Sequence, residues 1–409
     1  MKTKTVKSAD PVGEFYTNHP YPPPIDNLDR ARDMWQDETV HRAEFHLFWP
    51  HKEYRAELDV LVAGCGTWQS AKFAVCHPNA RVSAIDITTT SIEHTDALKQ
   101  KYDLTNLEVR QLPIENVAEL DQRFDLILST GVLHHLEDPD EGLRSLRSVL
   151  KPDGAMYLML YAPYGRAGVY MLQEYCRRLG VGISQQEINE LSAVLKVLPQ
   201  HHPLVSMLRG AREALDADAL VDALLNPRDR TYSVPELFDF VDRNDLSFTR
   251  WYWQAAYSPR CGSITTTPHA DRLMALPERE QYIEMELLRG LISNHDFVVH
   301  QKDGNADDVR VRFDDERYLR YVPIRRPWTM CVEERLPPGA AGVLLNQTHL
   351  FPDLYLMIDV EEKQFFEAID GHRSIAEIAA VNEEADWKVR GFFEKLWWYD
   401  QVVFDTSKS

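Results

Sequence analysis

From Leu58 onward, short apolar runs recur along the chain: LDVLVAG, ARVSAIDI, FDLILST and AMYLMLYA, separated by polar or helix-compatible segments of crossover length. Runs of this kind, continuous rather than alternating, predict strands buried on both faces, as in a parallel sheet covered by helices. The fold class expected is a doubly wound α/β domain. Right-handed crossovers then bring the loops that follow each strand to one edge of the sheet, where ligands bind.

On either side the pattern changes. Residues 11–25, PVGEFYTNHPYPPPI, mix aromatics with prolines that disfavour regular helix and predict an extended arm. RARDMWQDETVHRAEFHLF has near-helical spacing and predicts one helix ended by Pro50, so that 1–50 form an arm and lid helix ahead of a core over 51–165. Residues 166–230 read as a helical insertion (VYMLQEYCRRLG, SQQEINELSAVLKVL, PLVSMLRGAREALDADALVDALL), and 231–305 as completion of the sheet by LSFTRWYW and HDFVVHQ. An irregular or strand-containing linker is expected over 306–340. In the last segment, 341–409, the stretch 354–405 predicts helix, glycine turn, short helix, longer helix and apolar strand, the outline of a winged helix.

Composition narrows the partners. The 409 residues are 44% apolar and 27% charged, ordinary globular usage for a chain of several domains, but the formal charge is −19. Such a field repels a phosphate backbone, and 354–409 hold twelve acidic against six basic residues, so the helix-turn-helix outline is not a nucleic-acid reader. Cys65, Cys76, Cys176, Cys261 and Cys331 form no C-x-x-C pair, and His201–His202 have no ligand partners nearby in sequence, so neither disulfides nor a metal site is expected. No leader-like apolar region and no apolar run of 18 residues occurs; a cytoplasmic protein without a membrane span is expected. Nothing in the sequence indicates an oligomeric state.

The chemistry concentrates at strand ends. Gly64-Cys65-Gly66 ends the first strand at a strand-to-helix turn, where backbone must approach a ligand closely. Asp86 ends the second strand, about 20 residues on, where a carboxylate can accept both hydroxyls of an adenosine ribose. FDLILSTGVLHHL followed by LKPDG makes a strand, a site loop, a helix and a turn into the next strand. Over roughly 58–163 the chain resembles the class I (Rossmann-like) S-adenosylmethionine-dependent methyltransferases. The resemblance implies a seven-stranded sheet closed by an antiparallel hairpin, with S-adenosyl-L-methionine as cofactor. Carried over, Gly64 and Gly66 line the methionine part, Asp86 holds the ribose, Ile114 and Glu115 flank the adenine, and Ser129, Thr130 and Gly131 face the sulfonium. Cys65, Thr67, Gln69 and Ile87 complete the set, and Tyr16 of the arm closes over it.

Three positions depart from the family pattern: Val62 stands where an acid is usual, Trp68 where a third glycine is usual, and Pro113 where an adenine-facing acid is usual. Val62 implies that the cofactor's ammonium is held by backbone carbonyls or another carboxylate. Trp68 either narrows the pocket or, in a non-enzymatic scaffold keeping the fold, fills it. A nicotinamide enzyme would share Asp86, but Gln69 stands where G-x-G-x-x-G needs its last glycine. His134, His135 and Tyr161 are the candidate catalytic groups, the imidazoles as proton acceptors and the phenol as an orienting group, against a packing or capping role. Trp251, Tyr252 and Trp253 are expected mainly in a core, with an acceptor-pocket lining as the alternative. The acidic tail resembles small winged domains, including the peptide-chaperoning kind of peptide-derived cofactor pathways, which points to methyl transfer to N or O of a protein or peptide. A small metabolite enclosed by the helical insertion is the alternative acceptor.

Overall fold

The computed structural model describes residues 10–207, 217–302, 309–380 and 386–409. Three helices come first: α1 (Pro11–Asn18), α2 (Asp29–Met34) and α3 (Glu38–Phe48). Two sequence expectations change here. The arm is helical at its start, because Pro11 occupies the first helical position, where a missing N–H costs nothing, and Asp10 caps the Val12 amide at 3.1 Å. The single helix expected before Pro50 is two, because Asp37, in extended backbone, accepts from the Thr39 amide at 2.8 Å and starts a new helix.

Then β1 (Asp59–Ala63), α4 (Gln69–Cys76), β2 (Arg81–Asp86), α5 (Thr89–Lys101), β3 (Leu107–Gln111), β4 (Phe124–Thr130), α6 (Pro139–Ser148) and β5 (Leu150–Tyr161) follow one another. A 3₁₀ turn over Ile114–Leu120 replaces a helix between β3 and β4. The insertion comprises α7 (Ala167–Leu179), α8 (Gln185–Lys196), α9 (Pro203–Met207) and α10 (Ala217–Leu225); part of its third predicted helix, 208–216, lies outside the described residues. After α11 (Val234–Arg243) come β6 (Leu246–Trp251), α12 (Ala270–Met274), α13 (Glu278–Arg289) and β7 (Asn294–Gln301).

These seven strands form one sheet in the order β3-β2-β1-β4-β5-β7-β6, parallel from β3 through β5 and antiparallel between β7 and β6. The expected closing pair is antiparallel, but residues 252–293 with α12 and α13 join it in place of a tight turn. Because β1 pairs with β2 on one side and β4 on the other, chain direction across the sheet reverses at β1, and the crevice beyond that point is where a doubly wound sheet receives a ligand.

The chain divides into two compact units. Of the described residues, one holds those within 1–32, 57–240 and 290–295; the other holds those within 33–56, 241–289 and 296–409. In the first, Val60, Leu61, Ile127 and Leu158 are wholly buried, as the continuous apolar runs require. The insertion has its own core of Val169, Leu172, Leu191, Leu204, Leu220 and Leu224, and Phe15 of α1 packs with Ile188 and Val221.

The second unit continues with β8 (Val322–Arg325), β9 (Thr329–Val332), β10 (Gly342–Asn346), β11 (Tyr355–Ile358), α14 (Val360–Glu367), α15 (Ile375–Ala379), α16 (Asp386–Trp398) and β12 (Val402–Asp405). β9, β10 and β11 form an antiparallel sheet, and β12 pairs with β8. LYLMI, read as the start of a helix, is therefore strand β11, paired with β10 along its length. The stretch 306–340 is strand-containing and supplies β8 and β9. Trp251 is fully buried and stacks on Tyr257 at 3.8 Å, so it serves the core; β6 ends there, and Tyr252 and Trp253 lie beyond it. Among the described residues, no helix is long and apolar enough to cross a membrane.

Candidate functional site

The loops after β1, β2 and β4 meet at one cavity of about 400 Å³ in the first unit. Gly64 and Gly66 both take positive φ, +75° and +54°, a region where side chains are strained. At Gly64 a Cβ would stand 2.3 Å from Val132 Cγ2, so the β1 loop and the β4 loop close on each other only across a glycine. The amides of Gly64 and Cys65 both donate to the Ile85 carbonyl, at 2.9 and 3.0 Å, which ties the turn to the end of β2.

Asp86 organises that end. Its Oδ2 accepts from the Gly66 amide at 3.0 Å, and its Oδ1 accepts from the Thr88 amide and hydroxyl at 3.0 and 2.9 Å. Burial raises its pKa above the usual carboxylate value, and the bonds from Thr88 and Gly66 work against that shift. Oδ1 is filled by its two bonds from Thr88, whereas Oδ2, with one bond, keeps acceptor capacity toward a ligand hydroxyl. Leu112 and Ile114 provide apolar wall, and Thr130 and Gly131 line the cavity at the β4 end.

Among the residues expected to bind cofactor, Gly64, Gly66, Gln69, Asp86, Ile87, Ile114, Thr130, Gly131 and Tyr16 line the cavity. Cys65, Thr67, Ser129 and Glu115 do not. Cys65 is sealed beneath the turn, where burial pushes its thiol up to about 12. Thr67 turns its hydroxyl to the Pro22 carbonyl at 2.7 Å, pinning the N-terminal arm. Ser129 is fully buried in β4, and Glu115 belongs to the 3₁₀ turn, outside the wall. Trp68 lines the cavity without filling it, against the expectation for a blocked scaffold. The carboxylates on the wall are Asp10 and Asp86.

The three candidate catalytic groups separate. His134 is fully buried and does not reach the cavity; its ring lies 3.9 Å from that of Tyr161 and 4.3 Å from that of His135. Burial, then the neighbouring His135 and Arg166, hold it well below the ordinary imidazole value, so it stays neutral. His135 lines the cavity. Its Nδ1 sits 2.6 Å from the Arg228 carbonyl, which can only accept, so Nδ1 carries the proton and Nε2 the lone pair. Tyr161 also lines the cavity, under the Arg166 guanidinium at 3.5 Å from its ring. Burial, with Asp222 nearby, holds its phenol well above the ordinary value, so it remains protonated and can donate but not accept a proton.

Around them is a polar cluster that the sequence did not reveal. The Tyr16 phenol donates to Asp222 Oδ1 at 2.7 Å and accepts from Asn226 Nδ2 at 2.9 Å, with its ring edge-on to His135 at 6.0 Å. Arg166 donates to the Tyr170 hydroxyl at 3.0 Å and approaches Asp229 at 3.5 Å. The signal available was the charge itself: Asp222 interrupts the apolar face of α10, and Arg166 directly precedes the first turn of α7.

A sequence profile for the family described as methyltransferase domain matches residues 55–189. An uncharacterized protein of Synechococcus sp. is 29% identical over 278 residues, 65% of each chain. A malonyl-[acyl-carrier protein] O-methyltransferase of Acetivibrio thermocellus is 30% identical over 125 residues, 30% of this chain and 43% of that one. The chain thus spans less than two thirds of the length of these curated relatives. The fold matches the structure of PKMT2 from Rickettsia typhi in complex with AdoHcy with a TM-score of 0.60 at 16% identity, covering 92% of this chain and 74% of the other.

Proposed function

We propose that the cavity binds S-adenosylmethionine and that the protein, whose residues 55–189 match the methyltransferase-domain profile, passes its methyl group to an oxygen or nitrogen acceptor. The observation that carries this reading is Asp86: a half-buried carboxylate on the cavity wall, held by the Gly66 amide and Thr88, with Oδ2 left to accept from a ribose hydroxyl. When bound, S-adenosylmethionine supplies an electrophilic methyl group open to in-line displacement.

The work of the protein is then positioning and exclusion of water. Gly64 and Gly66 let backbone approach where any side chain would collide. Leu112 and Ile114 offer an apolar wall for the adenine, and α1 brings Tyr16, hydrogen-bonded with Asp222 and Asn226, to the cavity lining. Tyr161, kept protonated, orients an acceptor by donation. Calorimetry with S-adenosylhomocysteine tests the reading. Wild type binds with micromolar or tighter affinity and Asp86→Ala loses about tenfold or more, the scale of a hydrogen bond to a charged group; absence of heat for folded wild type contradicts it.

The acceptor in this reading is a protein or peptide side chain. What supports it is one face of the β9–β10–β11 sheet, where the register groups Met330, Val332, Val343, Leu345, Tyr355 and Met357. Tyr355 and Met357 are 41% and 51% exposed, and an apolar sheet face open to this degree marks an interaction surface. Tyr355→Glu with Met357→Glu lowers methyl labelling of a protein extract at least tenfold and leaves S-adenosylhomocysteine affinity unchanged. Unchanged protein labelling removes this role for the sheet, and labelling confined to the metabolite pool favours a small acceptor held in the cavity.

A further inference from the structure

Behind the cavity wall, three side chains separated by up to 95 positions in sequence turn metal-ligating atoms toward one another. The ligand atoms of His134, His135 and Asp229 all lie within 4.8 Å of each other. Hydrogen bonding leaves these atoms free. Both nitrogens of His134, Nε2 of His135 and Oδ1 of Asp229 are buried and have no hydrogen-bond partner. Buried polar atoms are nearly always satisfied, and an orphan costs on the order of 1–3 kcal/mol, so such a group clustered on one point requires a reason.

The surroundings are those of a built ligand set. The Arg228 carbonyl takes the His135 Nδ1 proton at 2.6 Å and so fixes the tautomer with its lone pair on Nε2, the arrangement that orients histidines on metals. Asp229 is held through its other oxygen, Oδ2, by Gln173 Nε2 at 3.0 Å, while Oδ1 is buried without a hydrogen-bond partner. His134 is fully buried, and both its ring nitrogens are without a hydrogen-bond partner. The charges nearby include Asp229, Asp222, the Arg166 guanidinium 3.5 Å from Asp229 Oδ2, and the Arg228 guanidinium, which donates to the His135 carbonyl at 3.2 Å.

We infer that His134, His135 and Asp229 form a binding site for a divalent first-row transition ion of the zinc class, at the wall of the cavity. Two imidazoles and one carboxylate leave coordination positions open, and His135, which lines the cavity, sets the ion's route in and its open side there. The site stands apart from the methyl-transfer reading; its use does rest on it. An acceptor hydroxyl bound at the open position would be polarised there, its proton passing to water at the open side of the cavity.

The test uses chelator-stripped full-length protein. Zinc is retained at one equivalent after desalting, cobalt(II) gives visible d–d absorption, and X-ray absorption of the zinc form shows imidazole nitrogens at about 2.0–2.1 Å. Asp229→Asn and His134→Ala each weaken zinc binding at least tenfold, while Asp229→Asn, whose residue is off the cavity wall, keeps S-adenosylhomocysteine affinity within about twofold. Folded wild type that neither retains zinc nor colours with cobalt overturns the inference. So does zinc bound without imidazole scattering, which needs no variant, or zinc bound equally by wild type and both folded variants. Loss of cofactor binding with an intact cobalt spectrum would instead count against the methyl-donor reading alone.

Discussion

Gly64 carries two separate constraints, a φ of +75° and a Cβ position 2.3 Å from Val132 Cγ2. The first costs about 1–2 kcal/mol for an L side chain, and the second forces the β1 and β4 loops apart. Gly64→Ala therefore abolishes S-adenosylhomocysteine binding, and adding Val132→Ala relieves the clash but not the backbone strain, restoring only part of the affinity; calorimetry on both variants checks this. Asp86 predicts a pH dependence. Burial raises its folded pKa, so in the free protein the buried charge opposes folding above the ordinary carboxylate value of 3.8, and protonation removes that cost. Ligand hydroxyls favour the charged form, so affinity is full near neutrality and falls as pH drops through the raised pKa. Titrations across acid pH should show this fall in wild type and not in Asp86→Asn. Gly64 and Asp86 were legible in the sequence because a strand-ending turn and a strand-ending acid are local features. Asp222, Asp229 and Arg166 were not, since their chemistry arises only when α7 and α10 fold over a strand end far away in sequence.

At the scale of elements, the continuous apolar runs made β1, β2, β4 and β5 plain, and a buried parallel strand leaves no other reading for such runs. The failures have two causes, a strand partner in one case and local capping in the others. LYLMI was read as helix, but alternate residues of β11 point to the core and β10 supplies its hydrogen bonds, so tertiary pairing overrides propensity. The proline-rich arm hid α1 because Pro11 is favourable at the first helical position and unfavourable further in. Helix α1 is tied to α10 through the Tyr16 hydroxyl on Asp222 at 2.7 Å. Tyr16→Phe leaves a buried carboxylate short of a donor, a loss of about 1–3 kcal/mol. It should speed proteolysis within the arm and weaken S-adenosylhomocysteine binding several-fold, as limited proteolysis and calorimetry would read.

For the whole molecule, the charge of −19 and the class of the fold were open to inspection of the sequence, whereas the buried charges of the second unit were not. Asp400 is fully buried there; it accepts from the Ala255 amide at 2.9 Å, lies 3.3 Å from His349 Nε2, and faces Arg250 and Arg326 at 3.7 and 3.6 Å. Burial pulls the Arg250 guanidinium down to about 10, against the pull of Asp400. Removing one member of such a group strands the others, so Asp400→Ala should cost about 3–5 kcal/mol in chemical denaturation. The central claim concerns the first unit, that its cavity is a methyl-donor site organised by Asp86. The most direct measurement is calorimetric titration of the full chain with S-adenosylhomocysteine, alongside Asp86→Ala shown to be folded. One site of micromolar or tighter affinity in wild type, weakened at least tenfold in the variant, is the predicted result. No heat in wild type, or equal affinity in both proteins, would contradict it.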